Sequence, residues 1–276
     1  MIKVFVTVRN RLAMTQKCLK ALRLHTKTPY QLYVYNNQTN YLIDEHFAYF
    51  MKMYRQGYIS QIVFNTDAST YNAFSKAAAC NQFGLWHEQD PLKDNYDFLV
   101  IMDNDIIVTP DWDVKVHAAW KHVKKNKLHN IKVIGQLPGG IKNTEEYTVI
   151  DEKIEAKSGR LGGSGFWTVR PNFFSEVGVL DLKQLVGQNK KHDQLYWHKL
   201  GKSTGGKPYI MGLKTKLAIH CGRFAGSVCN KLTQNRNKAD KEKLICFEES
   251  EEHISNLTFE EFYKMIKDDK HLLNDW

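Results

Sequence analysis

Two aspartates interrupt an apolar run in FLVIMDNDIIV, Phe98 to Val108. Asp103 and Asp105 lie two apart, so in extended chain their carboxylates point the same way. Two such charges about 4 Å apart repel by about 4 kcal/mol at an effective dielectric near 20. A divalent cation removes that repulsion, and hard oxygen ligands suit Mg2+ or Mn2+ that also binds phosphate. The competing reading is a turn, because Asp and Asn side chains bond nearby backbone amides. Other residues with chemical potential are Asp193 in KKHDQLYWHKLG, His220 in KLAIHCG, and Phe166-Trp167 after a glycine-rich turn. Each has a plain structural alternative: an acid favouring a helix N-terminus, a histidine satisfied within a strand, and two core aromatics facing opposite ways on a strand.

Elements that would position these residues follow from periodicity. Lys3–Val8 reads as a buried strand, and a helix is expected over residues 15–24. QLYVYNN is a second strand ending at Asn36 and Asn37, followed by the helical stripe Ile43, Phe47, Phe50, Met51 and Tyr54. Strands over 59–64, 98–102 and 131–134 alternate with helices over 71–85 and 111–123, Pro110 opening the last. This alternation predicts an α/β fold, a mostly parallel central sheet with helices on both faces. Ligands of such sheets bind beyond the carboxyl ends of the strands, where FLVIM would deliver Asp103 and Asp105. The second half is punctuated by Gly139, Gly140, Gly159, Gly162, Gly163 and Gly165. Thr258-Phe-Glu-Glu261 matches a capping box and starts a helix over 259–267.

Composition narrows the function. The chain has 276 residues and a formal net charge of +9. No apolar run reaches the roughly 18–20 residues of a membrane span, and the opening MIKVFVTVRN lacks a signal-peptide layout. A cytoplasmic location is expected. Cys18, Cys80, Cys221, Cys229 and Cys246 are odd in number without a Cys-x-x-Cys pair, so neither a disulfide framework nor a standard zinc set is expected. The first turn, Val8-Arg9-Asn10-Arg11, has no glycine and excludes P-loop and dinucleotide fingerprints. Basic clusters at Lys121, Lys124, Lys125, Lys127 and Lys132 and across Arg223 to Lys243 read as solvated surface, or as attraction to nucleotide phosphates or the anionic inner membrane surface. Nucleic acid is a weaker fit.

The segments KVFVTVRNRLAMTQKCLKAL, DFLVIMDNDIIVTPDW, GGSGFWTVRPNFFSEVGVLD, KKHDQLYWHKLG and KLAIHCG occur in an order that resembles a GT-A-fold glycosyltransferase of the family 2 type. The resemblance implies a catalytic domain over 1–222, with a nucleotide-sugar half (1–110) and an acceptor half (111–222), and a basic lid-like segment and terminal helix over 223–276. It implies that Asp105, Asp103 and His220 hold the cation on a nucleotide-diphosphate sugar, a UDP-sugar being favoured. Val8, Arg9, Asn36, Asn37 and Asn72 would border the nucleotide, with Asn65 and Asp67 nearby. The family's usual acid after the second strand is replaced by Asn36-Asn37. Asp193 would be the base of an inverting transfer, with His192 where the family has an acid. Gly163, Phe166 and Trp167 would face the acceptor, a glycan, lipid-linked or protein hydroxyl, and Arg223 or Lys231 would close over the diphosphate. A non-catalytic nucleotide or glycan binder and a metal-dependent phosphohydrolase or nuclease are the rival readings.

Overall fold

The computed structural model describes residues 1–37, 42–66, 75–136, 148–151, 154–159, 165–180, 192–221 and 251–268. Strands β1 (Ile2–Val8), β2 (Tyr30–Asn37), β3 (Gln61–Asn65) and β4 (Leu99–Asp103) alternate with helices α1 (Leu12–His25), α2 (Ile43–Arg55) and α3 (Ser75–Glu88). Then come β5 (Ile106–Val108), α4 (Trp112–Lys125), β6 (Val133–Gln136), β7 (Thr148–Asp151), β8 (Ile154–Gly159) and β9 (Phe166–Val169). The chain continues through α5 (Phe173–Val177), α6 (His192–Ser203), β10 (Ile210–Leu213), β11 (Ala218–His220) and α7 (Phe259–Asp268).

A 9-stranded sheet runs in the order β3-β2-β1-β4-β9-β6-β10-β8-β7. All its strands point one way except β9 and β8. The expected mostly parallel sheet is therefore present. The antiparallel β9, wedged between β4 and β6, was not legible as such in the sequence. Alternation on β1 sends Val4, Val6 and Val8 into one core with α1, α2, α4 and α7, and Phe5 into a second core with α3, α5 and α6. The Lys3 side chain is fully buried beside Phe5; its ammonium bonds the Asp90 carboxylate and lies 4.5 Å from the Tyr96 ring centroid.

Several boundaries moved. The helix expected over 15–24 starts at Leu12, because Asn10 and Arg11 turn the chain in left-handed geometry with φ of 51° and 56°. No side chain of that turn caps α1. The cap comes from far along the chain: Glu251, buried and helical with residues 252–256, accepts the Ala13 N–H at 2.8 Å through Oε2. Asp111, expected inside a helix, precedes α4 at φ 60°. The capping box at Thr258 forms as expected: Thr258 N–H donates to Glu261 Oε2 at 2.8 Å, and Glu261 N–H to Thr258 Oγ1 at 3.2 Å. Among the described residues no helix is long and apolar enough to cross a membrane.

Candidate active site

β1 feeds β2 on one side, while β4 returns to the other side of β1. Between the carboxyl ends of β1 and β4 the chain therefore opens a crevice at a topological switch point. A cleft of about 400 Å3 lies there, lined by Thr7, Arg9 to Arg11, Lys76 and Asp103 to Asp105.

Each wall has a local reason. Asp103 is the last residue of β4, opposite Thr7 on β1. Its N–H donates to the Gly165 carbonyl at 2.9 Å, at the entry to β9. The approach is close: a Cβ at 165 would stand 3.1 Å from Ile106 Cδ1, whose side chain would have to shift by a few tenths of an ångström. Asn104 turns inward. Its amide donates to the Asn10 carbonyl at 3.1 Å and to Thr15 Oγ1 at 2.8 Å, and Thr15 Oγ1 donates on to the Arg11 carbonyl at 2.8 Å. These bonds offset a left-handed turn that costs about 1–2 kcal/mol per non-glycine residue. Asp105 then precedes β5, which pairs antiparallel with β11 so that Ile106 stands opposite His220. The pairing delivers the histidine to the acid, and Cys221 N–H donates to the Asp105 carbonyl at 2.7 Å.

Three basic groups meet the two carboxyls. Arg11 Nη1 bonds Asp105 Oδ2 at 2.8 Å, Lys76 Nζ bonds Asp103 Oδ1 at 2.6 Å, and His220 Nε2 lies 3.5 Å from Asp105 Oδ1. Burial alone would raise the Asp105 carboxyl, but His220, Arg11 and Lys76 outweigh it and hold it below the usual carboxylate range. Burial pushes Asp103 up; the Lys76 charge opposes this and the Asp105 charge adds to it, leaving a net rise. Burial would depress the His220 imidazole, yet Asp105 and Asp103 more than offset it and raise it.

The donor set fits a cation in part. Asp105 Oδ1 is buried and receives no hydrogen bond, and His220 Nε2 at 3.5 Å is too far for a good one. An ion there would give Asp105 Oδ1 a partner, with the His220 imidazole beside it. Among the described residues no three His, Cys, Asp or Glu side chains are already gathered as a metal cage; Asp103 is instead turned to Lys76.

No protein-family model matches the sequence, and no curated protein matches it. Solved structures do. GalNAc-T7, in a structure with UDP, GalNAc and Mn2+, superposes with a TM-score of 0.55 at 10% identity, over 80% of this chain and 43% of that one. S. aureus TarS superposes with a TM-score of 0.50 at 12% identity, over 98% of this chain and 46% of that one. Both are GT-A glycosyltransferases. The fold is GT-A-like. This chain spans less than half the length of either neighbour.

On the GT-A-like sheet the remaining expected residues separate. Val8 is fully buried and is not among the residues lining the cleft, whereas Arg9 lines it. Asn36 and Asn37 end β2 and are buried; Asn37 Oδ1 accepts from Asn65 Nδ2 at 2.8 Å, and Asn37 Nδ2 has no hydrogen-bond partner. Asp193 lies in the first turn of α6. Asn72, Asp67, Gly163, Arg223, Lys231, Cys229 and Cys246 lie outside the described residues. Phe166 and Trp167 require a correction. They are 3% and 1% exposed, each packed into a different core, Phe166 edge-on to Trp112 and Trp167 edge-on to Phe173 and Tyr196. Neither offers a ring face to a sugar.

Sequence reasoning missed Arg11, Lys76 and Asn104. Arg11 stood in a turn notable for its lack of glycine. Lys76 is followed by the alanines 77–79 and carries no local signal of its partner, Asp103 at the end of β4.

Proposed function

We propose that this chain transfers a sugar from a nucleotide-diphosphate sugar, UDP-linked by preference, to an acceptor hydroxyl. The observation that carries the reading is the Asp105–His220 pair, flanked by Arg11 and Lys76 in the crevice between β1 and β4. Asp105 and His220 would hold Mn2+ or Mg2+, Asp103 contributing once released from Lys76. A cation there supplies charge neutralisation for the leaving diphosphate.

Arg11 and Lys76 bond the acids in the absence of donor, and both can turn to phosphate oxygens when one enters. Arginine does so as a fork, lysine as a point charge. Asn36 and Asn37, at the end of β2, would border the base, the Asn37 amide donating to a base carbonyl. Val8 and Arg9 would border the base and ribose. Asp193, at the start of α6, would take the acceptor proton late in an in-line attack, which inverts the anomeric centre.

The ion pairs Arg11–Asp105 and Lys76–Asp103 favour a second reading, in which the same cleft binds a nucleotide diphosphate with these two cations alone and turns nothing over. Thermal shift with UDP-sugars, with and without Mn2+, separates the two, because a ligand of the native state raises its stability. Transfer requires a Mn2+-dependent shift that Asp105→Asn abolishes, and product formation that Asp193→Asn abolishes while the donor still binds. A shift insensitive to chelator and no product would leave only the binder. No shift with any nucleotide sugar would end both.

A further inference from the structure

The amino ends of the same strands carry a larger cleft, about 710 Å3, between α4, residues 94–97 and residues 170–172. The five residues of β4, roughly 16 Å at about 3.3 Å per residue, separate it from Asp103. Lys121 and Lys124 reach it from α4 and Arg170 from the end of β9, with His117 and His129 at its walls. Its acids are Asp94 and Asp97. Asp97 is already engaged, 2.6 Å from the Met1 ammonium and 3.9 Å from His117.

Arg170 is the informative residue. Its guanidinium is half-buried, donates to the Leu128 carbonyl at 3.2 Å and lies 5.8 Å from the Trp120 ring centroid. Among the described residues no carboxylate comes within ion-pair distance of Arg170, Lys121 or Lys124. Burial therefore works against its charge, lowering its pKa, and only the more distant Glu176 opposes the effect. A partly desolvated guanidinium without an anion is unfavourable. Three cations converging on a concave space lined with few acids supply what an oxyanion needs, a fork and two point charges.

We propose that this cleft is a second binding site, for a phosphate monoester or diester group, at the opposite end of the sheet from the nucleotide cleft. The phosphate could belong to a soluble phosphorylated compound or to a lipid headgroup, and the cleft recognises the chemistry they share.

The test uses the full chain at low ionic strength in two arms. Calorimetric titration with inorganic phosphate and pyrophosphate reads the soluble source. Co-sedimentation with phosphatidylglycerol vesicles against phosphatidylcholine vesicles reads the lipid source. A Lys76→Ala background weakens phosphate binding at the nucleotide cleft, where Arg11 remains, so the loss caused by the variants at this cleft, measured on that background, is what reports on it. Binding in either arm is expected to weaken about tenfold or more in Arg170→Gln, given the strength of a charge-assisted hydrogen bond. It should weaken also in the double variant Lys121→Gln/Lys124→Gln, whose exposed positions leave folding intact. Binding of UDP should be unchanged in both. Failure of the unaltered protein to bind in either arm overturns the proposal. So does binding that both variants retain in full.

Discussion

Glu251 makes a sharp prediction about pH. Its carboxyl is 4% exposed, bonds the Ala13 N–H through one oxygen and leaves the other without a partner. Burial raises its pKa from the ordinary 4.5 to about 6, more than the amides of α1 and the Arg11 charge pull it down. The native state thus binds this proton more tightly than the unfolded chain does. Stability from this group is full below about pH 4.5, falls as pH rises to about 6, and stays low beyond it. A carboxyl raised from 4.5 to about 6 corresponds to about 2 kcal/mol. Glu251→Gln keeps an oxygen for Ala13 but cannot titrate, so the variant should lack that decline. Measured as thermal midpoints from pH 4 to pH 7.5, the difference between variant and parent should grow by about 4–8 °C in favour of the variant, taking 2–4 °C per kcal/mol for a chain of this class. Taking the difference cancels the contribution of every other titrating group common to the two proteins. Parallel curves would show that Glu251 is not buried against α1, and would remove the link between segment 251–256 and the cleft.

Asn104→Ala removes both bonds to the Asn10–Thr15 turn and should lower stability by about 1–3 kcal/mol, with weaker nucleotide binding in the same preparation; chemical denaturation and calorimetry read the two. Asp90→Ala strands the buried Lys3 ammonium and should lower stability by about 3–5 kcal/mol, while UDP affinity, measured on the folded fraction, holds. Trp167→Ala should lower stability by about 3–5 kcal/mol through the cavity it leaves. A Trp167 variant of normal stability with a raised acceptor KM would restore that ring to the acceptor site.

The sequence made the left half of the sheet readable, because β1 to β4 are short apolar runs separated by helical periodicity. Its mostly parallel sense and the position of Asp103 and Asp105 at a strand end follow from that pattern, while the strand order does not. What it hid are contacts made across long separations. Nothing local says that β9 inserts antiparallel beside β4, burying Phe166 and Trp167, whose aromatic pair after glycines looks the same in a core as in a binding face. Nothing near Leu12 says that its helix is capped by residue 251. Lys76 was invisible for the same reason: its partner Asp103 sits on another strand, and a lysine in a helix reads as surface until the sheet edge above it is known. His220 was found through family resemblance, and the β5–β11 pairing supplies the physical reason it reaches Asp105.

Asn104 has a mechanical consequence. The acids and the turn Asn10–Arg11 belong to different strands, yet one buried amide fastens them together. That side of the cleft behaves as a single stiff plate, with Asp105 clamped further by β11. In the proposed reaction, shape change would then fall to side chains, Arg11 on this plate and Lys76 across the cleft from it. The plate would set where a diphosphate sits, and the two cations would adjust to it.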